Sequence, residues 1–262
     1  MTAPSSPDQW ATGRIAFVTG ATSGFGAAFA RRIAKAGGKV IATGRRVERL
    51  EALAADCPAG NVLLRSLDLR DTAAIAATVA QLPDEFAAVD LLFNNAGLAL
   101  GLGKSPNTNL ADWDEMIDTN VRAFVHVTHA ILPGMVARNR GHIINLSSVA
   151  ASYPYPGGNV YGGTKAFVRQ FSLNLRADLL GSAVKVSSVE PGMCETEFSQ
   201  VRFKGDTKAA DAVYAGMRPL SADDVVDAVE AVIRLPEHLN VNTIELMPVQ
   251  QAFSPFAVSR EG

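Results

Sequence analysis

The sequence is poor in the residues that metal sites and cross-linked scaffolds need, with two cysteines and four histidines in 262 residues. Cys57 and Cys194 stand far apart without ligand spacing, which argues against a zinc site or a disulfide framework and suits a reducing compartment, the cytoplasm. His126 and His129 share a helix face, but their spacing lacks the carboxylate motif of a metal-binding helix, so no metal is expected. An excess of one charge is also missing: 24 basic and 26 acidic residues leave a net charge of −2. The basic residues are dispersed, so neither nucleic acid nor an anionic membrane is an expected partner. No apolar run approaches the ~20 residues that span a bilayer, and the opening MTAPSSPDQWATG has no apolar stretch behind a basic start. These absences lead to the expectation of a soluble, unprocessed, cytoplasmic protein whose residues 1–12 form a flexible end.

Nothing divides the remainder, residues 13–262, which is expected to form one domain. No linker, repeat or low-complexity block interrupts it, and 48% hydrophobic content is ordinary for an α/β core with a buried sheet. Short runs rich in Val and Ile alternate with longer segments of helical period. Strands are expected near Ile15–Thr19, Val40–Thr43, Val62–Leu67, Leu91–Asn94, His142–Leu146, Val184–Glu190 and Thr243–Met247. Helices are expected over Gly26–Ala36, Arg46–Ala55, Thr72–Gln81, a long stretch from Leu110 to Ala137, Val160–Leu180 and Ala222–Arg234. That order predicts an α/β fold, a Rossmann-type doubly wound parallel sheet of seven strands with helices on both faces. Right-handed crossovers then bring every strand's carboxyl end to one edge, where ligands bind in such sheets.

The chemistry concentrates on that edge. Tyr161 and Lys165 stand four apart, hence on one helix face, so the ammonium is expected to stabilise the phenolate and lower its pKa from about 10 toward working pH. Ser148 precedes the tyrosine by thirteen residues. A hydrolase would instead need an activated serine with a placed histidine, and none of His126, His129, His142 or His238 has that context.

Between the first strand and first helix lies Thr19-Gly20-Ala21-Thr22-Ser23-Gly24-Phe25-Gly26, whose glycines let backbone and helix terminus approach a pyrophosphate. Its TGxxxGxG spacing departs from the common GxGxxG. The second strand runs into Thr43-Gly44-Arg45-Arg46, where an NAD site would place a carboxylate for the ribose 2′-hydroxyl. Two guanidiniums suit a 2′-phosphate instead, and NADP is the expected cofactor; for Arg46 a solvated place at the helix start is the alternative. Asp68, followed by Leu69, ends the third strand, placed either for an adenine amino group or as a helix N-cap. Asn94-Asn95-Ala96-Gly97 ends the fourth, where small residues let the backbone pass beside the adenosine ribose.

Together, TGATSGFG, NNAG, Asn120, Ser148, YGGTK and the Pro191-to-Thr196 segment resemble the short-chain dehydrogenases/reductases over almost the whole chain. NNAGLALG, MIDTN, EFSQVRFKGD and NTIELMP are similar to the NADP-dependent 3-hydroxy acid dehydrogenases within it. The resemblance implies a homotetramer, NADP, and a small acid bearing a hydroxyl on the carbon β to its carboxylate: serine, L-allo-threonine or 3-hydroxypropionate. It also implies roles: Tyr161 as acid/base, Lys165 on the nicotinamide ribose, Ser148 on the substrate oxygen, Asn120 anchoring a relay water. Pro191, Gly192 and Thr196 would complete the cofactor site, although the segment is a residue shorter than in some relatives.

For the substrate, Arg202 in Val201-Arg-Phe-Lys204 is a candidate clamp for an anion, or alternatively the partner in a subunit salt bridge. Tyr155, and with it Tyr153, lies between serine and tyrosine and is a candidate pocket wall or a packing aromatic. Two rival readings accompany the main one. A reductase of sulfoacetaldehyde would seat its sulfonate on the same clamp, with a broad reductase of small aldehydes and carbonyls beside it, and a non-catalytic NADP-binding sensor would keep the fold while losing part of the Asn-Ser-Tyr-Lys set, which this chain retains whole.

Overall fold

A computed structural model describes residues 9–253 and builds them around seven parallel strands in the order β3-β2-β1-β4-β5-β6-β7. The strands are β1 (Ile15–Val18), β2 (Lys39–Gly44), β3 (Val62–Ser66), β4 (Leu91–Asn94), β5 (Gly141–Leu146), β6 (Val184–Pro191) and β7 (Thr243–Leu246). The helices are α1 (Gly24–Lys35), α2 (Val47–Ala55), α3 (Thr72–Ala80), α4 (Asp84–Ala87), α5 (Leu110–Ile117), α6 (Phe124–Ala137), α7 (Asn159–Asp178), α8 (Glu197–Arg202), α9 (Thr207–Ala212) and α10 (Ala222–Ile233). The strand order reverses between β1 and β4, so a crevice opens beyond their carboxyl ends.

Alternation along each strand divides the sheet between two apolar layers. On one face Ala16, Val18, Leu91, Phe93 and Ile144 meet Phe29 and Ile33 of α1, Leu50 and Leu53 of α2, and Val225, Val226 and Val229 of α10. On the other, Phe17, Leu92, Ile143 and Val186 meet Ile75 of α3, Val127, Ile131 and Met135 of α6, and Leu175 of α7. Burying side chains of this size stabilises by roughly 1.5–3 kcal/mol each, which explains why short strands suffice when both faces are covered. Register follows the same pattern: Phe17 pairs with Leu92, and Phe93 with Ile144.

Two expectations change. Residues 9–12 are packed, not loose: Ala11 is fully buried, its N–H donates to Ala36, and Arg234 stacks on Trp10. The rest of the expected flexible end, residues 1–8, lies outside the described residues. The long helical stretch from Leu110 to Ala137 is interrupted at Asp118–Ala123 by a π-helical segment that separates α5 from α6. Such π insertions widen the backbone ring by one residue and recur at functional sites; this one carries Asn120. The short helices α4, α8 and α9 stand where no helix was expected.

Candidate active site

The carboxyl end of β5 delivers Ser147 and Ser148, and the neighbouring helix α7 delivers Tyr161 and Lys165 one turn apart. The two serines divide the work. Ser147 donates to the Lys165 carbonyl at 2.8 Å and so ties strand to helix. Ser148, the serine selected by spacing, hydrogen-bonds the Tyr161 hydroxyl and approaches the Pro191 carbonyl at 3.4 Å. Lys165 is buried, with Nζ donating to the Leu146 carbonyl at 2.8 Å and lying 5.8 Å from the Tyr161 ring centroid. Burial lowers its pKa to about 8.

Asn120 closes the group from the π segment. Its amide donates to the Leu98 carbonyl at 2.8 Å and to Thr164 Oγ1 at 3.0 Å, while its oxygen accepts from Leu98 N at 2.8 Å. A Cβ on Gly97 would stand 3.2 Å from Asn120 Oδ1 and 3.3 Å from Lys165 Nζ, close enough that both polar groups would have to shift by a few tenths of an ångström. Four side chains separated in sequence thus converge at one point of the sheet edge.

The Tyr161 pKa departs from the expected direction. The ring is 8% exposed and packs against Phe198 at 5.5 Å, and burial pushes the phenol above its ordinary value. The nearby Tyr155 adds to the rise, while the Ser148 hydrogen bond and the Arg202 charge oppose it. Taking a phenolate out of water costs more than these two partners return.

From this point a cleft of about 770 Å³ runs along the crevice, a size suited to cofactor and substrate together. Its far half is lined by Gly20, Thr22, Ser23, Gly24, Phe25, Arg45, Arg46, Asp68, Leu69, Ala96 and Gly97. Gly20 and Gly24 adopt φ of 66° and 51°, the left-handed region that favours glycine. Ser23 opens α1 without a side-chain cap bond, so the first-turn N–H groups are available to an anion. Arg46 is held by Thr22 Oγ1 at 2.9 Å and Ser23 Oγ at 3.1 Å, and is not a merely solvated residue. Arg45 stands exposed at the cleft margin. Pro191, Gly192 and Thr196 line the opposite wall. These features fit a dinucleotide bearing a 2′-phosphate.

Two residues assigned to the cofactor face elsewhere. Gly26 lies outside the cleft lining: a Cβ there would meet the Gly20 carbonyl at 2.3 Å, so its role is close packing of α1 on the turn. Asn94 is buried and donates to Thr128 Oγ1 and Asn145 Oδ1, both at 2.9 Å, inside the sheet layer. Its neighbour Asn95 lines the cleft and donates to the Thr19 and Gly20 carbonyls, bracing the glycine turn. Asp68 lines the cleft, but Arg70 grips its carboxylate and holds its pKa down to about 2, while Asp71 performs the N-cap of α3.

The near half of the cleft is the candidate substrate end. Arg202 donates to Tyr155 Oη at 2.7 Å and to the Gly101 carbonyl at 3.3 Å, and its guanidinium lies beside the Tyr161 ring. Tyr155 lines the cleft as expected; Tyr153 turns away to Glu245 and Phe253. Sequence reasoning missed Tyr214, which also lines this end and is fixed by bonds to Ser199 and the Cys194 carbonyl. Among the described residues no group of three or more His, Cys, Asp or Glu side chains is placed to hold a metal, and no helix is long and apolar enough to cross a membrane.

Comparison with known proteins agrees with this geometry. The family model for short chain dehydrogenases matches residues 14–207. The chain is 55% identical over 247 residues to the NADP-dependent 3-hydroxy acid dehydrogenase YdfG of Salmonella typhi, covering 94% of this chain and 99% of that protein. It is 53% identical to the serine 3-dehydrogenase of Agrobacterium fabrum, covering 93% and 97% respectively. Among solved structures, the closed form of a serine dehydrogenase complexed with NADP+ superposes with a TM-score of 0.90 at 53% identity, covering 94% of this chain and 100% of that one. Serine dehydrogenase from Escherichia coli superposes at 0.80 with 50% identity, covering 91% and 99%.

Proposed function

The chain belongs to the short-chain dehydrogenase family, and we propose that within it the protein interconverts short 3-hydroxy acids with their oxo or semialdehyde forms, using NADP. Arg202 beside Tyr161 carries the reading, because it offers a carboxylate a bidentate cation within reach of the acid/base group. In a 3-hydroxy acid the reacting carbon lies two bonds from the carboxyl carbon, so one small substrate spans both side chains.

Bound NADP supplies or accepts the hydride at its nicotinamide ring. The chain's own residues do the rest. In reduction Tyr161, protonated because burial raises its pKa, donates its hydroxyl proton to the forming alkoxide. In oxidation its phenolate removes the substrate hydroxyl proton. Ser148 has one hydroxyl proton, which it would give to the substrate oxygen in place of its present partners, Tyr161 and the Pro191 carbonyl. Lys165, anchored by the Leu146 carbonyl, would hold the nicotinamide ribose, and Asn120 would anchor a water from the π segment. Arg45 and Arg46 would read the 2′-phosphate, with the α1 terminus under the pyrophosphate. Convergence of all four reacting residues weighs against a non-catalytic sensor.

We further propose a cytoplasmic homotetramer in which α6 and α7 meet a second copy. Phe167 on α7 is 39% exposed, stacks on Phe171 and meets Phe124 edge-on, an apolar ring cluster whose outer face a second copy would cover. The test of function is a kcat/KM panel with NADP and NAD on serine, L-allo-threonine, 3-hydroxypropionate, malonic semialdehyde and sulfoacetaldehyde. The expected outcome is NADP-linked turnover favouring a 3-hydroxy or 3-oxo carboxylate; preference for the sulfonate, or for NAD, would overturn it.

A further inference from the structure

Helix α8 carries a charged anchor at each end, and the two anchors lie in different halves of the cleft. At its start, Glu197 accepts from Arg46 Nη1 at 3.0 Å and from Arg49 Nη1. Arg46 is the same side chain that grips Thr22 and Ser23 of the glycine turn. At its end, Arg202 reaches Tyr155 and Gly101, and its backbone carbonyl accepts from Gly101 N at 3.0 Å. Between the cleft walls, Thr196 caps the helix through Phe198 N and would touch a Cβ on Gly24 at 3.5 Å. One six-residue helix therefore joins Arg46, a candidate reader of the 2′-phosphate, to the candidate substrate clamp.

We propose that Glu197 is a positioning residue: it latches α8 to Arg46 and Arg49, so that Arg202 is held over the substrate by the same element that senses the cofactor's 2′-phosphate. The proposal rests on the NADP and 3-hydroxy acid reading above. Burial pushes the Glu197 carboxyl up, but the bonds from Arg49 and Arg46 outweigh it and keep the group ionised at neutral pH. An anion at this place repels a 2′-phosphate that would share Arg46. Glu197 consequently works against cofactor affinity while working for substrate capture, and these opposed effects separate a latch from a simple binding or folding residue.

The test uses the intact protein and the near-isosteric Glu197→Gln, with Arg49→Gln as a second variant that removes one of the latch's two ties from outside the cofactor cleft. Three quantities are read: NADPH Kd by fluorescence titration, KM for an acid and for an uncharged aldehyde of similar size at saturating cofactor, and amide exchange over residues 197–203. In Glu197→Gln NADPH binding should stay equal or tighten, whereas Arg49→Gln, which leaves the anion in place, should not tighten it; in both variants KM for the acid should rise about tenfold, as loss of one polar tie predicts, and exchange of α8 should accelerate. KM for the neutral aldehyde should change little, and Glu197→Asp should recover part of the loss. Weakened NADPH binding with an unchanged acid KM, or unchanged exchange, would overturn the latch. Failure of the functional reading looks different: the unaltered protein would then turn over no 3-hydroxy acid with NADP, while the exchange comparison would still judge the latch.

Discussion

The guanidinium carbon of Arg202 lies 5.7 Å from the centroid of the Tyr161 ring. The two residues come from α8 and α7, and their proximity combines two demands of the proposed reaction. The cation opposes the burial that raises the tyrosine pKa, and it is the group on which the proposed reaction would seat the substrate's carboxylate. A substrate anion on Arg202 would shield that charge from the phenol, so binding an acid favours the protonated tyrosine and with it the reductive direction.

Replacing Tyr161 with Phe removes the hydroxyl and leaves the ring to pack on Phe198. Turnover should fall roughly 10²- to 10⁴-fold while NADPH Kd and thermal stability stay close to the original values. Steady-state kinetics alongside a cofactor titration decide the matter, and turnover within a few-fold of the unaltered protein would remove Tyr161 from the mechanism.

Dependence on pH should differ between the two directions. Oxidation uses the phenolate, and because burial raises the Tyr161 pKa its kcat/KM should climb with pH through neutrality to about 8, where the loss of the Lys165 proton begins to offset the gain. Reduction uses the phenol and should be level near neutrality, then decline above about 8 as Lys165 loses its proton and its hold on the ribose. Profiles of both directions on one preparation test this. A plateau in oxidation near pH 7 would show instead that the tyrosine is tuned downward.

The reading of the cofactor is tested at Arg45. Arg45→Asp puts a carboxylate where a 2′-phosphate would be repelled and a free 2′-hydroxyl could be bonded, so the NADP/NAD ratio of kcat/KM should drop at least tenfold. Arg46 is engaged with Thr22, Ser23 and Glu197, which makes Arg45 the cleaner substitution. An unchanged ratio would transfer the reading to Arg46.

His142 gives the fold its own acid sensitivity. Its ring is buried on β5, with Nε2 bonded to Ser187 Oγ at 2.9 Å, and burial, aided by the charges of Lys185 and Arg14, lowers its pKa to about 3. The unfolded chain titrates near 6.5, so below that pH the unfolded state binds the proton and the folded state does not. Stability from this group is intact above pH 6.5 and is lost as pH falls toward 3, at up to roughly 1.4 kcal/mol per pH unit. Urea unfolding between pH 6.5 and 4.5 should show that slope, and His142→Gln should be less stable at neutrality yet flatter across the window.

Much of this architecture is written in short-range pattern. The run Leu91–Asn94 was expected as a strand and is one, and α10 begins at Ala222, as expected, because Ser221 and Asp224 form a capping box. What escaped the pattern did so for physical reasons. A six-residue helix such as α8 or α9 completes fewer than two turns, too short for a period to show. The π segment at Asn120 adds a residue to the ring but contains no Gly or Pro that would mark a break in the helical run. Gly26 and Asn94 belong to recognisable motifs, but a motif does not state which side of the turn or strand a residue faces. Glu197 meets Arg46 across 151 positions of sequence, a pairing that only the folded chain brings about.

The substrate assignment stands or falls with Arg202, and Arg202→Lys is more telling than alanine because it keeps the charge. Lysine cannot serve Tyr155 Oη, the Gly101 carbonyl and a carboxylate at once, as the planar guanidinium can with its five donors. KM for the acid should therefore rise severalfold in Arg202→Lys. Arg202→Ala should cost about 1.5–3 kcal/mol in kcat/KM for the acid, the value of a hydrogen bond to a charged group. Reduction of an uncharged aldehyde of similar size should be nearly unaffected in Arg202→Lys, since that molecule makes no demand on the fork. Equal losses on charged and neutral substrates would assign Arg202 to holding α8 against Gly101, and the anion preference would then need another cation. Among the described residues lining the cleft, the remaining candidates Arg45, Arg46, Arg70 and Lys165 are committed to the cofactor half, to Asp68 or to the Leu146 carbonyl, so the acidic substrate would then rest on the likeness to 3-hydroxy acid dehydrogenases alone.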